Sequence, residues 1–314
     1  MLNEKEINTC TLTPDDIKRV KGMGFLQHAG TNKFNARVIT RNGRITTEEC
    51  MAIAKAASSY GDGNMMMTTR MNIEVSGIDY DNIEAFRAEL AKAGLYTGGT
   101  GTKVRPIVSC KGTTCQYGLC DTYDISMAIH ERFFVGYNGV ALPHKFKIAV
   151  GGCPHNCVKP NINDLGIIGA KVPQFNKDLC KGCKKCQIEA FCPMKAATVV
   201  DGKISVDPNL CNKCGRCIGK CPFHCNEEFI TGYKVYIGGR WGKRTNQGQM
   251  LNKIITSKEE LLDIVENSIL FFRSKGIPGE RFADTINRIG FEKAEAMILG
   301  NELLEKKDEI LGSK

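Results

Sequence analysis

Sixteen cysteines stand in 314 residues, and fourteen of them fall between Cys110 and Cys225. Thiolates grouped this tightly are ligands for soft metals. Two groups follow one pattern: Cys180-x2-Cys183-x2-Cys186-x5-Cys192-Pro193, then Cys211-x2-Cys214-x2-Cys217-x3-Cys221-Pro222. Three cysteines two residues apart can wrap three corners of an iron–sulfur cube, and in two-cluster ferredoxins the cysteine before proline ligates the other cube. The spacing therefore assigns Cys180, Cys183, Cys186 and Cys221 to one [4Fe–4S] cluster. Cys211, Cys214, Cys217 and Cys192 go to a second. Four-cysteine zinc is the competing reading, but zinc sites seldom need a third CxxC step followed by Cys-Pro. The five residues before Cys192, against three before Cys221, read as a loop insertion. Cys225 is left over and is expected to be a buried thiol.

Two further pairs, Cys110-x4-Cys115 and Cys153-x3-Cys157, lie some 40 residues apart. Strand pairing could bring them together around a third cube; on spacing alone, zinc or inert buried thiols stay open. Two clusters in series carry electrons but break no bonds, so a terminal acceptor must lie elsewhere in the chain.

The surroundings of these pairs carry a resemblance. SCKGTTCQYGLCDT (109–122) and GGCPHNCVKPNINDLGIIG (151–169) resemble the fingerprint of sulfite and nitrite reductases that couple a sirohaem to a [4Fe–4S] cluster. FNARVITRNGRITTEE (34–49), TTRMNIEVSG (68–77) and LPHKFKIAV (142–150) are similar to family segments in the same order. Within the family, one sirohaem domain with a ferredoxin insert is most like the sirohaem-bearing branch of the anaerobic sulfite reductases, and is similar to the catalytic half of the coenzyme F420-dependent enzymes.

The resemblance implies an α+β fold with three parts. Residues 1–172 are the first part of the sirohaem reductase domain, 173–229 an inserted two-cluster ferredoxin domain, and 230–314 the return strand and C-terminal helices. It implies sirohaem and three [4Fe–4S] clusters as cofactors. Cys110, Cys115, Cys153 and Cys157 would hold the coupled cube, with Cys157 bridging to the sirohaem iron. The first pair is one residue closer than in many relatives, so Cys120 rivals Cys115; Asp121-Thr122 favours Cys115 by position. His155 follows Cys153-Pro154 where relatives often have Asn, and would sit beside the bridging thiolate as a donor or as a plain loop residue.

A cage of Arg37, Arg105, Lys145 and Lys147 is implied around a small oxyanion. Guanidinium grips oxyanions bidentately, whereas Lys is a point charge and proton donor. The residues support this locally. Lys145 and Lys147 alternate about Phe146, sharing one face of a strand. Arg37 stands in an apolar alternation, where a charge needs a buried anion. Sirohaem carboxylates call for further cations and donors: Arg70 and Asn72 in TTRMN, Thr100, Thr102 and Lys103 in the glycine-rich turn, Asn156 beside Cys157, and Arg240 and Lys243 after the insert.

The elements that must position these groups follow from pattern. Residues 34–40 and 65–75 read as strands, with Met65–Met67 as strand core. Thr46 to Tyr60 read as a helix with a Thr46/Glu49 capping box, and 81–93 as a helix ended by Gly94. A helix is expected from Ile125 to Phe134, strands over 145–150 and 233–239, and helices over 258–274 and 280–298.

The chain has a formal charge of +9, which thiolate-bound clusters and a polycarboxylate cofactor would offset. No basic helix or aromatic platform of the nucleic-acid-binding kind is present. No run of about 20 apolar residues suggests a membrane span, and MLNEKEINTC lacks the apolar core of a secretory signal. A cytoplasmic protein is expected. The chain also lacks a GxGxxG dinucleotide fingerprint, so its electrons would come from a partner flavoprotein or ferredoxin. Longer relatives carry the sirohaem unit twice, which implies a homo- or hetero-oligomer here. The reaction implied is the six-electron reduction of sulfite to sulfide. Nitrite reduction on the same scaffold, or a polyferredoxin-like electron carrier, are the alternatives.

Overall fold

The structure is a computed structural model that describes residues 10–312, so the start of the segment read as lacking a secretory signal lies outside the described residues. The chain divides into two compact units. One comprises residues up to Val108, Ser126–Ile148 and Glu266 onward; the other comprises Ser109–Ile125 and Ala149–Val265.

The first unit opens with α1 (Pro14–Gly22), β1 (Phe25–Gln27), β2 (Lys33–Val38), α2 (Thr47–Tyr60), β3 (Met65–Met67), β4 (Ile73–Asp79) and α3 (Ile83–Ala91). The strands form one antiparallel sheet in the order β1-β2-β4-β3. α2 begins where its capping box predicts: Thr46 Oγ1 accepts from Glu49 N, and the Glu49 carboxylate accepts from Thr46 N at 2.7 Å. Phe34, Ala36, Val38, Ile53, Ile73, Val75, Phe86 and Leu90 close the core between sheet and helices. Burying such side chains contributes about 1.5–3 kcal/mol each.

The single strand expected over 65–75 is two. Thr68–Asn72 turns back on itself, with Thr68 N bonded to Asn72 O at 2.9 Å and Met71 at φ +58°. Met65–Met67 are exposed on an edge strand, not core.

The second unit is built on a five-stranded sheet, β11-β10-β7-β6-β5. β5 (Val108–Ser109) leads to the first cysteine pair and α4 (Thr122–Ile129), which runs on as a π-helical segment, His130–Val135. β6 (Ile148–Gly151) leads to the second pair, and β7 (Leu165–Pro173) follows. The cysteine-rich segment adds α5 (Gln187–Phe191) and a hairpin of β8 (Ala197–Val200) and β9 (Lys203–Val206). The chain then returns as β10 (Phe229–Ile237), antiparallel to β7 from Phe229↔Pro173 to Ile237↔Leu165, and ends its sheet with β11 (Gln249–Met250). The insertion before Cys192 is thus a short helix, α5, and not a loop.

The strand expected at 145 starts at Ile148, but the alternation about Phe146 holds. Phe146 is fully buried between half-buried Lys145 and Lys147, and bridges Val104 in parallel register. α6 (Lys258–Lys275) forms as expected, whereas 280–298 breaks at Gly290 (φ +98°) into α7 (Phe282–Ile289) and α8 (Phe291–Leu299). Two short helices, α9 (Glu302–Glu305) and α10 (Lys307–Gly312), follow. Among the described residues no helix is long and apolar enough to cross a membrane.

Phe146 packs its ring 5.0 Å from Phe282 and 5.9 Å from Phe272. Phe146→Ala is expected to cost about 3–5 kcal/mol in chemical denaturation. A loss below about 1 kcal/mol would mean that this aromatic cluster does not anchor the KFK segment.

Candidate functional site: clustered thiols and clustered cations

The first unit gathers cationic side chains and the second gathers thiols. In the first unit, the backbone of Phe146 is held on both sides: Arg105 N donates to its carbonyl at 2.8 Å, and its own N–H reaches Lys103 O at 3.0 Å. That pairing fixes Lys103, Arg105, Lys145 and Lys147 on adjoining segments. Arg37, from β2, joins them through a shared acceptor. Its Nη1 lies 3.2 Å from Gly99 O, and Arg105 Nη1 lies 2.6 Å from the same oxygen.

Glu74 pairs with Arg37 at 2.6 Å. The Arg105 guanidinium is pushed down to about 10 by burial, with Arg37 and Arg281 adding repulsion. An anion arriving here would be stabilised by charge already in place.

The expected cofactor residues of this unit take varied positions. Arg70 donates to Pro106 O at 2.6 Å and Ile148 O at 3.2 Å. Asn72 is buried, with Nδ2 lacking a hydrogen-bond partner. Thr100 Oγ1 donates to Lys21 O, the Thr102 carbonyl accepts from Leu142, and Lys103 Nζ approaches Asn138 Oδ1 at 3.5 Å.

In the second unit, β5 and β6 deliver their cysteines side by side, and Cys110 N donates to Val150 O at 3.1 Å. Gly152 N donates to Cys110 Sγ at 3.1 Å. A Cβ on Gly152 would come within 2.8 Å of the Gly112 backbone, so only glycine permits the two loops to meet. Cys153 has Cys110, Cys157 and Cys115 as electrostatic neighbours, and burial first, then these thiols, raise its pKa. Cys153 is thus within electrostatic reach of the other three thiols of the expected set.

Cys120 is close as well. Burial pushes its thiol up to about 12, with Cys110, Asp121 and Cys153 adding to the shift. His155 stands 3.3 Å from Cys153 Sγ through Nδ1, rather than on Cys157, and its ring lies 4.7 Å from Tyr117. Asn156 adopts φ +59° and bonds Asn161. Arg240 is fixed by paired backbone bonds to Asn246, while Lys243 is exposed in the loop beyond it.

The cysteine-rich segment gathers its thiols across the two sequence groups. Cys192, Cys211, Cys214 and Cys217 all line one small cavity, roofed by Pro173, Pro193 and Met194. Burial pushes the Cys217 thiol up to about 11, and Cys211, Cys214 and Cys192 add to the shift. Cys221 and Cys180 both contact Cys225, which is buried as expected with its thiol pushed up to about 12, chiefly by burial. Gly215, at φ +69°, lets the CGRC turn pass against Lys171: a Cβ there would meet the lysine stem at 2.8 Å. Backbone donors already aim at sulfur, Ala196 N at Cys192 and Ile204 N at Cys180, each at 3.3 Å. A cavity ringed by four thiols and approached by N–H groups suits an anionic cube.

A match to the "Nitrite and sulphite reductase 4Fe-4S domain" model covers residues 100–307, and one to the "Nitrite/Sulfite reductase ferredoxin-like half domain" covers 26–93. The chain belongs to the nitrite and sulphite reductase family. These are oxidoreductases. Coenzyme F420-dependent sulfite reductase of Methanocaldococcus jannaschii is 31% identical over 249 residues, 78% of this chain and 39% of that protein. One of the anaerobic sulfite reductase subunits of Salmonella typhimurium is 30% identical over 165 residues, 46% of each chain. This chain therefore spans less than half the length of both relatives. The crystal structure of dissimilatory sulfite reductase I shares the fold, with a TM-score of 0.66 at 21% identity, covering 90% of this chain and 69% of the other.

Reading by spacing missed Glu74, Arg281 and Lys234. The last was visible as a lone charge in the apolar strand YKVYI, the same signal that singled out Arg37.

If Cys192 serves the Cys211 cluster, alanine at Cys180 and at Cys192 removes different cubes. The double variant Cys180→Ala/Cys192→Ala is then expected to lose about eight iron atoms, twice the loss of either single variant. A double loss equal to a single one would place both cysteines on one cube.

Proposed function

We propose that this chain reduces sulfite to sulfide, with electrons supplied through two ferredoxin-type [4Fe–4S] clusters in the 173–229 insert to a third cube and a sirohaem. The observation that carries this reading is the convergence of Arg37 and Arg105 on one carbonyl oxygen, with Glu74 paired to Arg37. Paired guanidiniums offer directed N–H donors to a small oxyanion, a ligand that an electron carrier does not bind.

Sirohaem, when bound, supplies an iron that a sulfur or nitrogen oxyanion can ligate, and Cys157 is the thiol that would couple it to the cube of Cys110, Cys115 and Cys153. Asn72 Nδ2, buried without an acceptor, fits a cofactor rich in carboxylates. The chain's own residues do the rest. Arg37 and Arg105 hold and orient the anion by directed N–H donors. Lys145 and Lys147, on either side of buried Phe146, add point charge and hand on protons as oxygens leave as water. Such preorganised charge is a large part of catalysis because it needs no rearrangement during reaction. Among the relatives, sulfite reductases include the one with the longer match given above, and nitrite reductases also appear, at 32% identity over 148 residues for that of Klebsiella oxytoca. The electron donor in this reading is a flavoprotein or ferredoxin, and the working form is an oligomer.

Protein purified without oxygen is expected to hold about 13 iron atoms per chain, three cubes and one tetrapyrrole iron. Iron-loaded protein with no tetrapyrrole band in its visible spectrum would sink the enzyme reading in favour of an electron carrier. Steady-state rates with sulfite and nitrite rank the two substrates. Lys145→Ala and Lys147→Ala should each lower kcat about 100–1,000-fold while leaving the spectrum unchanged; a lost spectrum would make them cofactor ligands instead.

A further inference from the structure

Lys234 is the least expected charge in the second unit. It lies on β10 opposite Ile168 of β7, and only 4% of it is exposed. A buried ammonium is costly unless something negative lies near. Its hydrogen bond goes not to a carboxylate but to the carbonyl of Asn212, at 2.9 Å. Asn212 follows Cys211 in the Cys211-x2-Cys214 turn. Burial pushes the lysine down to about 8, helped by Lys213, while Cys211 and Cys214 pull the other way. The ammonium is thus bonded to Asn212, a residue that lines the cavity ringed by Cys192, Cys211, Cys214 and Cys217.

The other thiol group of the insert has a different cation. Lys203 Nζ donates to Lys177 O and Cys180 O at 2.8 and 2.9 Å, but Lys203 is exposed, so water screens it. A cube gains negative charge on reduction, and a desolvated cation stabilises that extra charge more than a solvated one. A cavity of about 310 Å³ is lined by Cys153 of the coupled set together with Cys214 and Arg216, which puts the Lys234 side of the insert nearest the coupled thiols.

We propose that Lys234 is a positioning charge that raises the reduction potential of the cluster held by Cys192, Cys211, Cys214 and Cys217, making it the electron-collecting member of the insert pair. One electron leaves the cube of Cys180, Cys183, Cys186 and Cys221, which is oxidised, and enters the cube of Cys192, Cys211, Cys214 and Cys217, which is reduced; no bond is made or broken. The proposal rests on reading the two thiol groups as [4Fe–4S] sites.

The test is a redox titration followed by electron paramagnetic resonance, with iron counted, on the anaerobically purified full chain and on Lys234→Met and Lys234→Gln. Glutamine keeps a side-chain N–H donor, one atom shorter than lysine, but carries no charge. Both variants are expected to disfavour reduction of the higher-potential insert cluster at least tenfold, about 59 mV for a one-electron couple, with the other cubes unmoved. Unchanged potentials at full iron content overturn the proposal. So does a shift confined to Lys234→Met, which assigns the effect to the hydrogen bond, or a shift shared by both insert clusters. Iron lost from both variants overturns it too, by making Lys234 a structural support. Failure of the underlying reading is separate: unsubstituted protein would then show no pair of insert cubes.

Discussion

Positive charge held on partly or fully buried backbone constrains much of this molecule. Arg37 and Arg105 share a carbonyl, with Glu74 paired to Arg37, and buried Lys234 donates to the carbonyl of Asn212. Left so, each arrangement costs several kcal/mol in desolvation and repulsion. The cost falls when an anion arrives: thiolate-held cubes, cofactor carboxylates or an oxyanion. The surplus of +9 in the sequence is consistent with the same account. Stability and cofactor loading should therefore be coupled in this chain, since ligands that bind only the folded form stabilise it.

That constraint explains why the cations sit on the most regular parts of the fold. Arg37 is on a central strand of the first sheet, and Lys234 is on β10, paired along its whole length with β7. A flexible loop would let such charges swing into water. Strand backbone, anchored by the aromatic cluster of Phe146, Phe271, Phe272 and Phe282 in one unit and by nine paired positions between β7 and β10 in the other, denies them that escape. The thiols need less enforcement. They occupy turns, where closely spaced N–H groups can point at sulfur.

How much of this could be read from the sequence follows from the range of each signal. Cysteine spacing and the Thr46/Glu49 capping box are local signals; the capping box forms, and Cys192, Cys211, Cys214 and Cys217 line one cavity. Breaks that depend on one backbone angle were not legible: Met71 at φ +58° splits the strand expected over 65–75, and Gly290 at φ +98° splits the helix expected over 280–298. Met65–Met67 are apolar in composition but occupy an edge strand, and only the sheet order reveals that they stay exposed. The nearness of Arg281 to Arg105 joins residues far apart in the chain, which no spacing rule encodes. Lys234 is the intermediate case. Its strand is obvious, but its acceptor, the carbonyl of Asn212, is a feature of the fold.

The unequal Cys-Pro spacing shows how local and global requirements meet. Five residues separate Cys186 from Cys192, and they form α5, with Cys186 as N-cap and Cys192 as C-cap. Cys217 and Cys221, with three residues between them, are joined by a turn in which Lys220 N bonds back to Cys217 O. Helix α5 buries Ile188 in a small core with Ala197, Ile204 and Cys180, and Cys225 lies in the same core. The extra residues therefore give the insert its own packing while carrying Cys192 across to the cavity of the second cysteine group. Cys225 closes that small core from the other end of the segment, which accounts for a buried thiol standing beside Cys180 and Cys221.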